Sequence, residues 1–331
     1  MQKDVPQPPP SRSVFAMLVG VAITLGGTSV AMATEISIAS GRPGGLYYPV
    51  AGAVCALVNE HTADDGINCT VAFGAGSVAN IEALRQGEAD MAIVQADVQR
   101  DAVTGSGAFA AAGPFSELRS VAALFVEDVT IAARRDKGIV ALDDLKGKRI
   151  YLGAPGSGGR AIIDRLMAAA GWSPGDVTEV PEGGYTAPDL AEALCDGELD
   201  AFVMTVGHPS PLITEAVSMC DVILVPVAGP AVDKVIAENG LYTPSAIPPG
   251  TYPGIDKAVP GIAVVATLLT TAGTQADAAY AAARAFVEGY ERLGENSPLF
   301  SALSVGQIAT EGLTAPLHEG AARYYSEARK P

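Results

Sequence analysis

The sequence predicts an α/β protein whose sheets are rich in parallel strands and arranged in two units. Three observations carry this. Short β-prone runs alternate with segments of helical apolar spacing along most of the chain. Glycine-rich turns follow four of the predicted strands, at 40–49, 74–76, 153–159 and 207–211. The length of 331 residues accommodates two such units.

In chain order, Ile36, Ile38 and Ser40 form a strand that runs into the turn Ser40–Pro49. Val50, Val54, Leu57 and Val58 then give a helical stripe. A second strand spans Asn68–Phe73, and Gly74-Ala75-Gly76 opens a helix with Ile81 and Leu84 inward. Ala89–Gln95 is a nearly continuous apolar run, as expected for a strand covered on both faces. Arg100–Pro114 mixes helix and loop. Leu118–Ala133 is one long strand interrupted by Glu127-Asp128, read as passing from one unit to the next.

The rhythm then repeats. A short helix at Leu142–Lys148 precedes a strand at Arg149–Leu152, the turn Gly153–Gly159 and a helix at Ala161–Ala170. A helix at Pro188–Cys195, a strand at Ala201–Thr205, a helix at Leu212–Met219 and a strand at Val222–Val227 follow. Proline-rich Tyr242–Pro253 reads as loop and Gly261–Thr271 as strand. Thr274 with Asp277 suggests a capping box for a helix reaching Leu293. The expected division is 1–33 leader, 34–129 and 228–331 one lobe, and 130–227 the other.

Hydrophobic content of 49% with 18% charged residues excludes a disordered chain. A formal charge of −16 argues against nucleic acid and anionic membranes as partners. Lys3 and Arg12, the apolar stretch Val14–Val30 and Ala31-Met32-Ala33 before Thr34 read as a secretory signal with cleavage after Ala33, in preference to a membrane anchor, for which the glycine-containing apolar run is short. Export makes disulfides the expected state of Cys55, Cys69, Cys195 and Cys220. Of the three possible pairings, Cys55–Cys69 with Cys195–Cys220 closes the shortest loops.

Several familiar chemistries fit the sequence poorly. Gly74-Ala75-Gly76-Ser77-Val78-Ala79, with Asp97 beyond, fits a dinucleotide fingerprint, but it follows the second strand and no hydride-transfer partner accompanies it. Gly153–Arg160 resembles a phosphate loop, yet Gly159 stands where its lysine belongs. His61, His208 and His318 are the only histidines, and there is no G-x-S-x-G elbow. No metal-ligand spacing occurs, so neither metal nor cofactor is expected. What remains is a set of glycine turns at strand ends that can present amides to an anion, with Asn80 and Gln95 on the same rim.

The ordered motifs GGLYYP, GSVANIEALRQGEADMAIVQAD, DLKGKRIYLGAPGSG, DGELDAF, GHPSPLI and IPPGTYPG resemble the TAXI family, the extracytoplasmic solute receptors of TRAP transporters. The resemblance runs from about Ile36 to Thr271 and on into the C-terminal helices. It implies a type II periplasmic-binding-protein fold, two α/β lobes closing by a hinge. It implies a periplasmic, monomeric, non-enzymatic receptor that delivers a small organic anion, such as glutamate or a related dicarboxylate, to a TRAP-type permease. Carried over by position, the ligand-facing residues are Gly44, Gly45, Leu46 and Tyr47, then Ser77, Asn80 and Gln95. From the second lobe come Gly156, Ser157, Gly158, Gly207 and His208. Leu46, Ala96 and Gly159 stand where the family commonly has polar residues, which suggests a ligand less polar or less charged than glutamate. A receptor for a membrane sensor kinase, or an enzyme on this fold, are the alternatives.

Overall fold

The computed structural model describes residues 34–42, 45–63, 66–181 and 187–329. The signal-peptide expectation therefore lies outside the described residues. The chain opens with β1 (Thr34–Ala39), α1 (Tyr47–His61), β2 (Ile67–Ala72), α2 (Ser77–Gln86), β3 (Met91–Gln95) and α3 (Ala96–Thr104). The long β4 (Leu118–Arg134) follows, then β5 (Arg149–Tyr151), α4 (Gly158–Ala169), β6 (Thr178–Glu179) and α5 (Ala187–Cys195). Next come β7 (Ala201–Val206), α6 (Pro211–Met219), β8 (Val222–Val225), α7 (Pro230–Asn239) and β9 (Thr243–Ile247). The chain closes with β10 (Val259–Thr271), α8 (Ala276–Asn296), α9 (Val305–Ile308) and α10 (Glu319–Ala328).

All ten strands join one sheet, and its pairing contains a repeat. One set runs β2-β1-β3-β10-β4, parallel about β1 and antiparallel on both sides of β10. The other runs β6-β5-β7-β4-β8, parallel about β5 and antiparallel on both sides of β4. In each set a strand distant in sequence is inserted fourth. Strand β4 serves both. Its residues up to Asp128 pair with β10, and those from Asp128 onward pair with β7. The acidic pair Glu127-Asp128 thus sits where the strand changes partners, as its sequence position suggested.

The apolar runs are buried as their patterns require. All five residues of β3 are buried, and the α1 stripe of Val50, Val54, Leu57 and Val58 packs with α8 in one core cluster. Separate clusters centred on Ile131, Ile150 and Ile163, and on Phe202 and Leu224, fill the space around the second strand set. The disulfides are Cys55–Cys69, joining α1 to β2, and Cys195–Cys220, joining the ends of α5 and α6. Among the described residues no helix is long and apolar enough to cross a membrane.

Three local expectations are corrected. Proline-rich 242–253 contains β9, which pairs with β10 alone; an edge strand tolerates Pro244 because its missing N–H leaves no ladder bond unmade. The expected capping box fails because the Thr274 hydroxyl is taken by Thr270, 2.6 Å away. Helix α8 instead starts from Gln275 with no side-chain cap. Helix α7 occupies a stretch to which the sequence reading assigns no element.

Candidate functional site

The carboxyl ends of β1, β2, β3, β5 and β7 converge on a cavity of about 150 Å³. At one end lies a polar floor built from four elements. Tyr47 opens α1, Ser77 opens α2, Gln95 ends β3, and Glu127 projects from β4 just before its change of partner. The Gln95 backbone N–H donates to Ser77 Oγ at 3.1 Å, and Ser77 Oγ lies 3.3 Å from the Tyr47 hydroxyl. Tyr47 donates to Glu127 Oε2 at 2.9 Å, and Gln95 Nε2 donates to the same oxygen at 3.2 Å. With each proton committed in this direction, the Ser77 hydroxyl donates to Tyr47.

Glu127 is 2% exposed. Burial pushes its carboxyl up to about 8; the Tyr47 and Gln95 hydrogen bonds oppose the rise, and Asp97 and Asp128 add to it. At neutral pH it therefore carries a proton. Because Oε2 already accepts two hydrogen bonds, the proton belongs on Oε1. Tyr47 is held well above its ordinary range, first by burial and then by Glu127, so its hydroxyl stays a donor.

The remaining walls mix apolar side chains with Tyr151, Ser157, Thr205 and Ser210. Leu46, Leu190, Val203 and Leu212 line them, together with Gly158 and Gly159 at the start of α4. Arg42 is the one cation on the wall among the described residues, and its charge reaches the Tyr151 phenol. No cluster of metal-ligating side chains occurs among the described residues.

Two glycine turns from opposite strand sets dock directly on each other. Gly76 has φ +112°, a conformation that favours glycine, and a Cβ there would meet Ser157 Cα at 3.0 Å. The first amides of α2, on Val78 and Ala79, donate to the Gly156 carbonyl at 3.0 and 3.3 Å. The α2 N-terminus is therefore spent on the opposing turn. The start of α4, where Ser157 Oγ caps the Arg160 amide, lines the cavity instead.

Of the positions singled out in the sequence, Gly45, Leu46, Tyr47, Ser77, Gln95, Ser157 and Gly158 meet in this cavity. Gly44 lies outside the described residues. Asn80 is buried beneath the turn, donating to the Ser40 and Ile93 carbonyls at 2.7 and 2.8 Å, so it ties β1 to β3. Gly156 contributes its carbonyl to α2, and a Cβ on Gly207 would collide with Leu299, so close packing explains that glycine. His208 bonds Tyr252 at 2.6 Å and Thr130 at 3.0 Å through its two ring nitrogens. Burial lowers it to about 4, so it is neutral and holds the loop that brings Ser210 to the wall. Asn80, Gly156, Gly207 and His208 do not line the cavity. Of the three departures from the family pattern, Leu46 and Gly159 do line it, while Ala96 is buried in the core.

Arg42, Glu127, Tyr151 and Thr205 are wall residues that motif reading passed over. Glu127 had a signal: a carboxylate pair interrupting an otherwise apolar strand. Tyr151 and Thr205 had none, since each is an ordinary strand residue until the turns are assembled.

Residues 38–328 match the NMT1-like family. The chain belongs to that family. Among solved structures, it is similar to MatC of Rhodopseudomonas palustris with bound malate, at 18% identity and TM-score 0.56, over 89% of this chain and 96% of that one. A protein of Bordetella bronchiseptica RB50 aligns at 15% identity and TM-score 0.55, over 90% and 98% of the two chains. A putative L-cystine ABC transporter of Listeria monocytogenes aligns at 11% and 0.51, over 81% and 97%. The fold of this NMT1-like chain is the mixed α/β periplasmic-binding-protein fold.

Proposed function

We propose that this protein is a periplasmic solute receptor that captures a small carboxylate-bearing molecule in the cavity and hands it to a TRAP-type membrane permease. The observation that carries the reading is the cavity itself. It lies at the strand ends of both strand sets, lined by the start of α4 and by the hydrogen-bonded group of Tyr47, Ser77, Gln95 and Glu127. Ligands of open α/β folds bind at such strand ends. MatC, which aligns over nearly all of its length, holds malate. The ordered TAXI-like motifs support delivery to a TRAP permease, and the leader supports export. Both nitrogens of His208 are engaged at sites off the cavity wall, which favours binding over catalysis.

In this reading the two strand sets act as lobes, and the contact of Gly76 with Ser157 belongs to the closed state. Ligand shifts the population toward closure because only the closed form contacts it from both sides. A thermal-shift and calorimetric screen of organic and amino acids tests this. At least one carboxylate is expected to bind with micromolar affinity or tighter. Gly158→Ala is expected to weaken it more than tenfold, because the new methyl would fall 2.0 Å from Gln95 Oε1 and 2.9 Å from Ser77 Oγ. Failure of every carboxylate, or binding unaffected by Gly158→Ala, would overturn the proposal.

A further inference from the structure

The amide of Gln95 and the carboxyl of Glu127 are each 2% exposed, and they touch. Gln95 Nε2 faces Glu127 Oε2 at 3.2 Å, and Gln95 Oε1 is buried without a hydrogen-bond partner among the described residues. With the amide in this orientation, an acid proton on Glu127 Oε1 does nothing for that oxygen. A half turn of the amide exchanges its oxygen and nitrogen. Glu127 Oε2 then carries the proton and donates it to Gln95 Oε1, while a remaining lone pair still accepts from Tyr47. The stranded oxygen is satisfied, and only a neutral Glu127 allows it. An ionised carboxylate has no proton to give, so it demands the amide N–H2 group and sends the oxygen back into the cavity.

Glu127 is placed to pass between these two states. Around it lie the Tyr47 hydroxyl from α1, Ser77 of α2 behind that hydroxyl, Gln95 from β3 and apolar Val264 beside it on β10. The charges acting on it, Asp97 on α3 and Asp128 on its own strand, are both negative and favour the protonated form. Asp97 is itself held by Arg165 and Tyr242. Burial raises Tyr47 and Tyr151, so both stay phenols in the range where Glu127 titrates, near 8.

The other end of the amide abuts the start of α4. A Cβ on Gly158 would lie 2.0 Å from Gln95 Oε1. Thr205 Oγ1, which also lacks a partner among the described residues, would lie 3.1 Å from a Cβ on Gly159. All four residues line the cavity. Gly158 and Gly159 open a helix of 12 residues, so their N–H groups have no acceptor within it. An N–H2 group turned to this end joins those amides and the Thr205 hydroxyl as donors to one anion. An amide oxygen in the same place repels it.

We infer that Gln95 is a carboxylate-binding residue whose orientation Glu127 sets. Protonated, Glu127 holds the amide oxygen and turns the N–H2 group to the ligand beside α4. Ionised, it draws the N–H2 group to itself and the ligand is released, the lost proton passing to solvent. Glu127 is thus a positioning residue. The inference rests on the carboxylate-receptor reading above and adds a dependence on pH to it.

The test is calorimetric titration of the folded protein with butyrate, succinate and malate, acids without an amine that stay ionised from pH 7 to 10. The tightest binder among them is expected to lose about tenfold in affinity per pH unit above 8.5. At pH 9 its binding should take up close to one proton per site, read from buffers of differing ionisation enthalpy. In Glu127→Gln the new amide can donate to Gln95 Oε1 at every pH. The slope and the proton uptake should vanish, and binding at pH 9.5 should be at least tenfold tighter than in the parent. Gln95→Met, which keeps the length and lacks the donor, should weaken binding at least tenfold at pH 7 and flatten the profile. A parent affinity constant from pH 7 to 10, proton release in place of uptake, or a Glu127→Gln profile parallel to the parent's overturns the inference and leaves the receptor reading standing. Absence of binding by these three acids also overturns it, and absence of binding throughout the wider screen overturns both.

Discussion

Glu127→Gln is expected to make the protein more stable at alkaline pH and to flatten its stability between pH 6.5 and 9. The folded carboxyl titrates near 8, raised by burial from an ordinary value of 4.5. A group raised on folding contributes fully below its unfolded value, and the contribution is lost as pH climbs through the folded value. Between these limits the slope approaches about 1.4 kcal/mol per pH unit. Glutamine keeps the shape and carries no charge, so the variant should lack that slope and exceed the parent by a few kcal/mol at pH 9. Working above pH 6.5 separates this from His208. Its depressed value makes it stabilising above 6.5 and costly only as pH falls toward 4. Urea unfolding at half-unit pH intervals reads the difference, and parallel curves for parent and variant would refute the assignment of Glu127 as a buried acid.

The second large effect lies at Arg165. Its guanidinium, on α4, bonds Asp97 and Asp101 on α3 and the Tyr242 hydroxyl at 2.8 Å, and Tyr242 in turn donates to Asp97 at 2.8 Å. Asp97 is fully buried. Burial raises its carboxyl, while Arg165 and Tyr242 pull it back. Burial also opposes the charge on Arg165, and Tyr242 and the two aspartates outweigh it. Arg165→Met removes the cation and strands two carboxylates, one of them without water, at a cost of about 3–5 kcal/mol. Adding Asp97→Asn should recover a large part of that loss, since the uncompensated charge is then gone. A loss under about 1 kcal/mol in the single variant, or no recovery in the double, would show that the cluster is not a coupled unit.

How much of this could be read from the chain follows from where the information resides. Strands such as β3 and β4 announce themselves because an unbroken apolar run has few other uses. Helix α1 is declared by its own stripe, and the disulfides by short loops. The Gly76 and Ser157 turns are legible as turns, yet their mutual docking is not, because it joins residues from different strand sets. Asn80 illustrates the limit. Its place after a glycine turn suits a ligand contact equally well, and only the three-dimensional arrangement shows its amide holding two neighbouring strands. Thr205 acquires meaning only once β4 and β7 lie side by side below the turns, whereas Glu127 was marked by its interruption of an apolar strand. Helix α7 had its punctuation, Gly229-Pro230 before it and Gly240 after it, but a modest stripe of Val232 and Val235 between them.

The insertion of β10 between β3 and β4 sets a timetable for the chain. Strands β3 and β4 are neighbours in sequence but do not pair with each other. Both wait for a segment that ends at Thr271. Such long-range closure slows folding and leaves apolar edges open meanwhile. The first strand set therefore cannot mature as an autonomous N-terminal domain, however complete its own residues are. A fragment ending at Pro253 should melt without a cooperative transition, whereas the chain carried through α10 should show one. A keystone placed late in the sequence keeps the earlier strands from setting until β10 has been made.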